Sequence, residues 1–131
     1  MKTLNDILFK IREMHFPPID AVIGIARGGI IPAALVAEHL NREIDFIWIN
    51  RRNEKHEIVR NEPLVYRLPQ VELKGKNILL VEDRVKSGIS LDRAKKELEK
   101  LLPAHIYTFA VNGKADICLY NESCFPFPWK I

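Results

Sequence analysis

Asn77-Ile78-Leu79-Leu80-Val81-Glu82-Asp83-Arg84-Val85-Lys86-Ser87-Gly88-Ile89-Ser90-Leu91 is the stretch that decides the fold. Ile78 to Val81 are apolar with no polar alternation, which suits a strand covered on both faces, as in a parallel sheet. That strand ends in Glu82-Asp83, and a turn with Gly88 follows. A helix then runs over about Ser90 to Leu102, with Leu91, Ala94, Leu98 and Leu101 on one face. The same unit stands earlier in the chain. Ala21-Val22-Ile23-Gly24-Ile25-Ala26 is another buried-strand run, Arg27-Gly28-Gly29 breaks it, and Ile31 to Leu40 resumes with helical spacing.

Working outward, Leu4, Ile7, Leu8, Ile11 and Met14 predict an amphipathic helix over about residues 3–14, which Pro17-Pro18 ends. Further strands are predicted at Ile44 to Ile49, Ile106 to Val111 and Ile117 to Tyr120, with a short edge strand at Tyr66 to Val71 broken by Pro69. Residues 50–63, polar and charged, read as a mobile loop, and the tail Phe125-Pro126-Phe127-Pro128-Trp129 as extended. Alternating strands and helices predict an α/β fold: a three-layer domain with a mainly parallel central sheet flanked by helices. Residues 1–131 read as one domain, with neither repeat nor linker.

Composition narrows the function classes. The 131 residues are 47% hydrophobic and 28% charged, as expected of a soluble globular domain and not of a fibrous or disordered chain. The longest apolar run, Ile30 to Ala37, is far short of the ~20 residues of a membrane span. Met1-Lys2 leads into a helical pattern without an apolar signal core, so a cytoplasmic protein is expected. A net charge of +3 suits a small anionic ligand. With no basic helix or aromatic-basic ladder, nucleic acid is not an expected partner. Cys118 and Cys124 do not form a zinc pattern and are expected to be reduced.

Ligands of open parallel sheets collect at the carboxyl ends of the strands, and two strand ends carry chemistry here. Arg27-Gly28-Gly29 offers backbone amides and a charged fork to an anion; equally, it is a plain strand-to-helix turn. Glu82-Asp83 are expensive to bury and need partners such as sugar hydroxyls or a hydrated divalent cation. Lys86-Ser87-Gly88-Ile89-Ser90, entering a helix, combines amides, two hydroxyls, a lysine and the positive helix end into a phosphate cradle. The plainer reading is an exposed acidic turn with Ser90 as helix N-cap. Carboxylates for a pentose directly before a cradle for its phosphate favour a sugar-phosphate site.

The stretch Ile78 to Leu91 resembles the signature of type I phosphoribosyltransferases, which bind 5-phosphoribosyl pyrophosphate (PRPP). Ile25-Ala26-Arg27-Gly28-Gly29-Ile30-Ile31-Pro32 resembles the pyrophosphate turn of the bacterial xanthine–guanine/hypoxanthine branch, and the tail ending in Phe127-Pro128-Trp129 resembles that branch's base-covering segment. The resemblance implies the three-layer fold with a small hood or tail segment at about 113–131. It also implies a pentosyltransferase of nucleotide salvage that moves ribose 5-phosphate from PRPP to a nucleobase, a purine first, and releases pyrophosphate. Glu82 and Asp83 would hold the ribose hydroxyls, and Lys86, Ser87, Gly88, Ile89 and Ser90 the 5′-phosphate. Arg27, Gly28 and Arg60 would face the pyrophosphate, with Arg27 catalytic, while Lys114 and Phe125 would face the base. Mg2+ would arrive on PRPP, near Glu82 and Asp83, with no direct protein ligand set. The loop at 50–63 would close to exclude water. A homodimer is implied as well.

Two positions depart from the family pattern. Purine-using members carry an aspartate where Lys86 stands, and a charged lysine has no acceptor for the proton of a base nitrogen. The branch's stacking tryptophan falls on Cys124, leaving Phe125 beside it to stack. These departures keep open an alternative: a non-catalytic module on the same fold that senses PRPP or a nucleotide.

Overall fold

The β-branched runs that read as buried strands occupy the middle of a six-stranded sheet. In the computed structural model, which describes residues 2–50 and 63–130, the elements are α1 (Leu4–Glu13), β1 (Ala21–Ala26), α2 (Ile30–Leu40), β2 (Glu43–Asn50), β3 (Leu64–Arg67), β4 (Asn77–Val85), α3 (Ile89–Glu99), β5 (His105–Gly113) and β6 (Ile117–Tyr120). The strands lie in the order β3-β2-β1-β4-β5-β6. All neighbours pair in parallel except β3, which runs antiparallel to β2 at the edge. The predicted loop at 50–63 falls largely on residues 51–62, outside the described residues, and Arg60 with it.

Period-two alternation sorts the strand residues onto two cores. Val22, Leu79, Val81, Phe109 and Val111 pack with Ile7 and Ile11 of α1 and Ala33 and Val36 of α2. Ala21, Ile23, Ile25, Ile78, Leu80 and Ile106 pack with Ala94 and Leu98 of α3. Three layers result, as the sequence predicts.

Local chemistry sets the helix ends. Thr3 and Asp6 close a capping box on α1, each side chain bonding the other's backbone N–H. Asn41, at φ 53°, ends α2 in the left-handed region that asparagine tolerates. Pro32 stands in the first turn of α2, where it blocks no helical hydrogen bond.

Among the boundaries that differ from the sequence reading, three have a physical cause on view. β4 continues past the acidic doublet to Val85, because its partner β5 also continues and pairs Val85 with Gly113. Glu82 and Asp83 therefore belong to the strand itself. The edge strand is Leu64–Arg67, not 66–71: the Asp45 carboxylate accepts from the N–H groups of Gln70 and Val71 (2.8 and 3.1 Å), using amides that a ladder would need. Helix α3 begins at Ile89 with Gly88 at φ 81° as its cap, so Ser90 lies inside the first turn and is not the N-cap.

Candidate functional site

The carboxyl ends of β1, β2 and β4 open onto a cleft of about 450 Å³. Its walls are Ile25 to Gly28, Ile49 and Asn50, the continuous run Glu82 to Leu91, and Lys130 from the tail. The two motifs that the sequence places on separate units are neighbours because β1 and β4 pair directly, Gly24 opposite Val81.

The β1–α2 turn is tight. The Gly29 N–H donates to the Ile25 carbonyl (2.7 Å) and the Ile30 N–H to that of Arg27 (3.1 Å), while the Gly29 carbonyl accepts from Ala33 (2.9 Å). The Ala26–Arg27 peptide is cis. Arg27 is left exposed at the mouth, and the backbone of Gly28 lies against the Asp83 carboxylate.

Asp83 and Glu82 differ in environment although adjacent. The Glu82 carboxyl is buried and accepts from the Asp83 N–H (3.0 Å). Burial, and then the charge of Asp83, push it well above the ordinary carboxylate range. The Asp83 side chain, 13% exposed, accepts from the Arg84 N–H (2.6 Å) and pairs with Lys130 Nζ (3.8 Å). Because folding raises the affinity of Glu82 for its proton, the folded state binds more protons than the unfolded one above about pH 4.3. The stability Glu82 contributes is thus complete below that pH and declines as pH rises through the folded value. Glu82→Gln, which keeps the acceptor oxygen without the titration, is expected to gain stability over the parent progressively from pH 4 to 8. Denaturant midpoints across that range check it; a constant difference would contradict it.

Beyond the acids, Lys86 to Ser90 line the cleft at the N-terminus of α3. The first-turn N–H groups of a helix have no carbonyl partner within it, and here that of Ile89 is met by the Ser87 hydroxyl (3.4 Å). Hydroxyls, amides and the helix dipole so converge on one end of the cleft. Among its described lining residues Arg27, Arg84, Lys86 and Lys130 are cationic, against Glu82 and Asp83. That excess suits a polyanion.

Arg27, Gly28, Glu82, Asp83, Lys86, Ser87, Gly88, Ile89 and Ser90, singled out in the sequence, are thus brought together. Lys114 and Phe125 do not line this cleft. Lys114 is exposed just beyond β5, where Gly113 turns the chain at φ 130°. Phe125 is half-buried, edge-on to Tyr120 and Phe127 with ring centres 5.4 Å apart in each pair. Its carbonyl accepts from Arg84 Nη2 (2.6 Å). Sequence reasoning missed Arg84 as the anchor of the tail, and Lys130 as a wall of the cleft. No spacing marks either; an arginine directly after an acidic pair, in a chain with an aromatic tail, is the one available hint.

The family described as Phosphoribosyl transferase domain matches residues 2–116. The chain is 32% identical over 119 residues to the xanthine-guanine phosphoribosyltransferase of Cereibacter sphaeroides, which covers 85% of this chain and 69% of that one. It is 35% identical over 83 residues to the orotate phosphoribosyltransferase of Brucella ovis, covering 63% of this chain but only 37% of the relative. A purine phosphoribosyltransferase from Pyrococcus horikoshii shares the fold with a TM-score of 0.81 at 22% identity, over 98% of this chain and 91% of that one.

Proposed function

The chain belongs to the phosphoribosyl transferase domain family, and from that premise we propose that it transfers the phosphoribosyl group of PRPP to a nucleobase, a purine first, releasing pyrophosphate. The observation that carries the reading is the continuous run in which Glu82-Asp83 is followed, within one cleft, by the hydroxyl- and amide-rich segment 86–90. The acids accept from ribose hydroxyls; Ser87, Gly88, Ile89 and Ser90 donate to the 5′-phosphate; Arg27 and Gly28 take the diphosphate. The bond from the anomeric carbon to the diphosphate oxygen breaks, and the electron pair leaves with pyrophosphate. A ring nitrogen of the base bonds to the same carbon, and the proton it carried passes to the departing pyrophosphate. Arg27 stabilises the negative charge gathering on the leaving group.

Magnesium fits this donor set as a passenger. Among the described residues no group of three or more His, Cys, Asp or Glu side chains could hold a metal, and the acidic pair suits a cation that keeps its water and substrate oxygens. When bound, it would neutralise diphosphate charge. No helix among the described residues is long and apolar enough to cross a membrane. The cytoplasmic location expected from the sequence and the homodimeric assembly implied by the family resemblance go with this reading.

Purified protein given PRPP, Mg2+ and a panel of purine and pyrimidine bases is expected to release pyrophosphate with at least one base. A second reading is favoured by Lys86, a cation at the cleft where a proton acceptor is wanted: a sensor that binds PRPP without turnover. Calorimetry beside the assay separates them. Heat with pyrophosphate release supports transfer, heat without release supports the sensor, and no heat with the fold intact overturns both.

A further inference from the structure

We propose that Lys130 is a substrate-binding residue which, with Asp83, forms a donor–acceptor pair for the 2-hydroxyl of the pentose and so selects ribose over 2-deoxyribose. The inference rests on the reading of the cleft as a phosphoribosyl site. It assigns that site a side chain from the opposite end of the chain.

Among the described residues that line the cleft, all but Lys130 come from the ends of β1, β2 and β4, the turns that follow them or the first residues of α3. Lys130 is carried there by an anchored tail. Arg84, next to the acidic pair, donates from Nη2 to the Phe125 carbonyl (2.6 Å), and its guanidinium lies 4.7 Å from the centre of the Phe127 ring. Phe127 is 2% exposed and stacks on Trp129 with ring centres 5.0 Å apart. The Lys130 N–H then donates to the Phe127 carbonyl (3.1 Å), closing a turn that fixes where the lysine starts. The strand that presents Asp83 therefore also holds the segment that presents Lys130.

The geometry of the pair suits a hydroxyl. Lys130 Nζ lies 3.8 Å from Asp83 Oδ2, longer than the 2.7–3.2 Å of a closed N–H···O bond. An ionised carboxylate only accepts and an ammonium only donates, whereas a hydroxyl does both. One hydroxyl oxygen can donate to Asp83 and accept from Lys130, satisfying both charged groups. A sugar without that hydroxyl leaves the Asp83 carboxylate, 13% exposed, with an unfilled acceptor position and Lys130 without its sugar contact, which is how polar sites reject deoxy analogues. The Lys130 side chain is 59% exposed, so removing it leaves the core untouched.

Calorimetric titration with ribose 5-phosphate and 2-deoxyribose 5-phosphate tests this without knowledge of the acceptor base. The wild type is expected to prefer the ribose ester by about tenfold or more. Lys130→Met should weaken ribose 5-phosphate by about tenfold, leave the deoxy ester nearly unchanged and bring the ratio towards one. Lys130→Arg, which keeps donors on a cation, should retain more of the preference than Lys130→Met. A preference unchanged in Lys130→Met, with melting unaltered, overturns the proposal while the phosphoribosyl reading stands. Failure of the wild type to bind either ester overturns both.

Discussion

Gly29→Ala is expected to lose about 3 kcal/mol of folding stability, lowering Tm by about 10 °C, as overpacking against atoms that cannot retreat does. A Cβ on Gly29 would stand 2.5 Å from the Val81 carbonyl oxygen and 2.7 and 2.9 Å from the oxygen and nitrogen of Ile25. All three are backbone atoms of the two paired strands at the centre of the sheet, so relief requires moving β1 from β4 or tilting α2 off both. Gly75→Ala is the control. Its φ of 72° disfavours alanine, but nothing lies within 4 Å of the added carbon, so only left-handed strain remains, about 1–2 kcal/mol. Thermal and urea melts of the two variants separate close approach from conformational freedom. A loss at Gly29 no greater than at Gly75 would show that the turn can open without disturbing the strands.

That contrast bears on what the sequence could reveal. The buried strands were legible because residues 21–26 and 78–81 are apolar without alternation, a pattern that needs no knowledge of partners. The cleft's two turns were legible because each stands where a buried strand gives way to glycine and charge. What was hidden depends on contacts between distant segments. The extension of β4 through Val85 follows from its pairing with Gly113, and no local propensity announces it. The shift of the edge strand follows from Asp45 taking the amides of Gln70 and Val71 across 25 and 26 residues. Lys130 was invisible for the same reason, since only the docking of Phe125 and Phe127 on Arg84 delivers it. Lys114 and Phe125, which rest on resemblance to a segment whose neighbours differ, are not among the residues that line the cleft, although the Phe125 carbonyl is held by Arg84, which is.

Gly28→Ala, one residue before the structural glycine, is expected to do the opposite of Gly29→Ala: keep Tm within about 2 °C and lose about 10²-fold in kcat/KM for PRPP. Its added Cβ would meet Asp83 Oδ1 and Oδ2 at 2.8 Å and Cγ at 2.9 Å. These atoms end a flexible side chain, so the clash is relieved by swinging the carboxylate, at little cost to the fold. The swing must be at least about half an ångström to restore ordinary contact, and it stretches the short bond from the Arg84 N–H and alters the approach of Lys130. A carboxylate that accepts from a pentose hydroxyl cannot move that far and still align the anomeric carbon with its nucleophile. Pyrophosphate release measured against PRPP concentration, beside a melting curve, gives both numbers. If transfer survives in Gly28→Ala, the Asp83 carboxylate takes no part in holding the sugar, and the glycine is there for the turn alone.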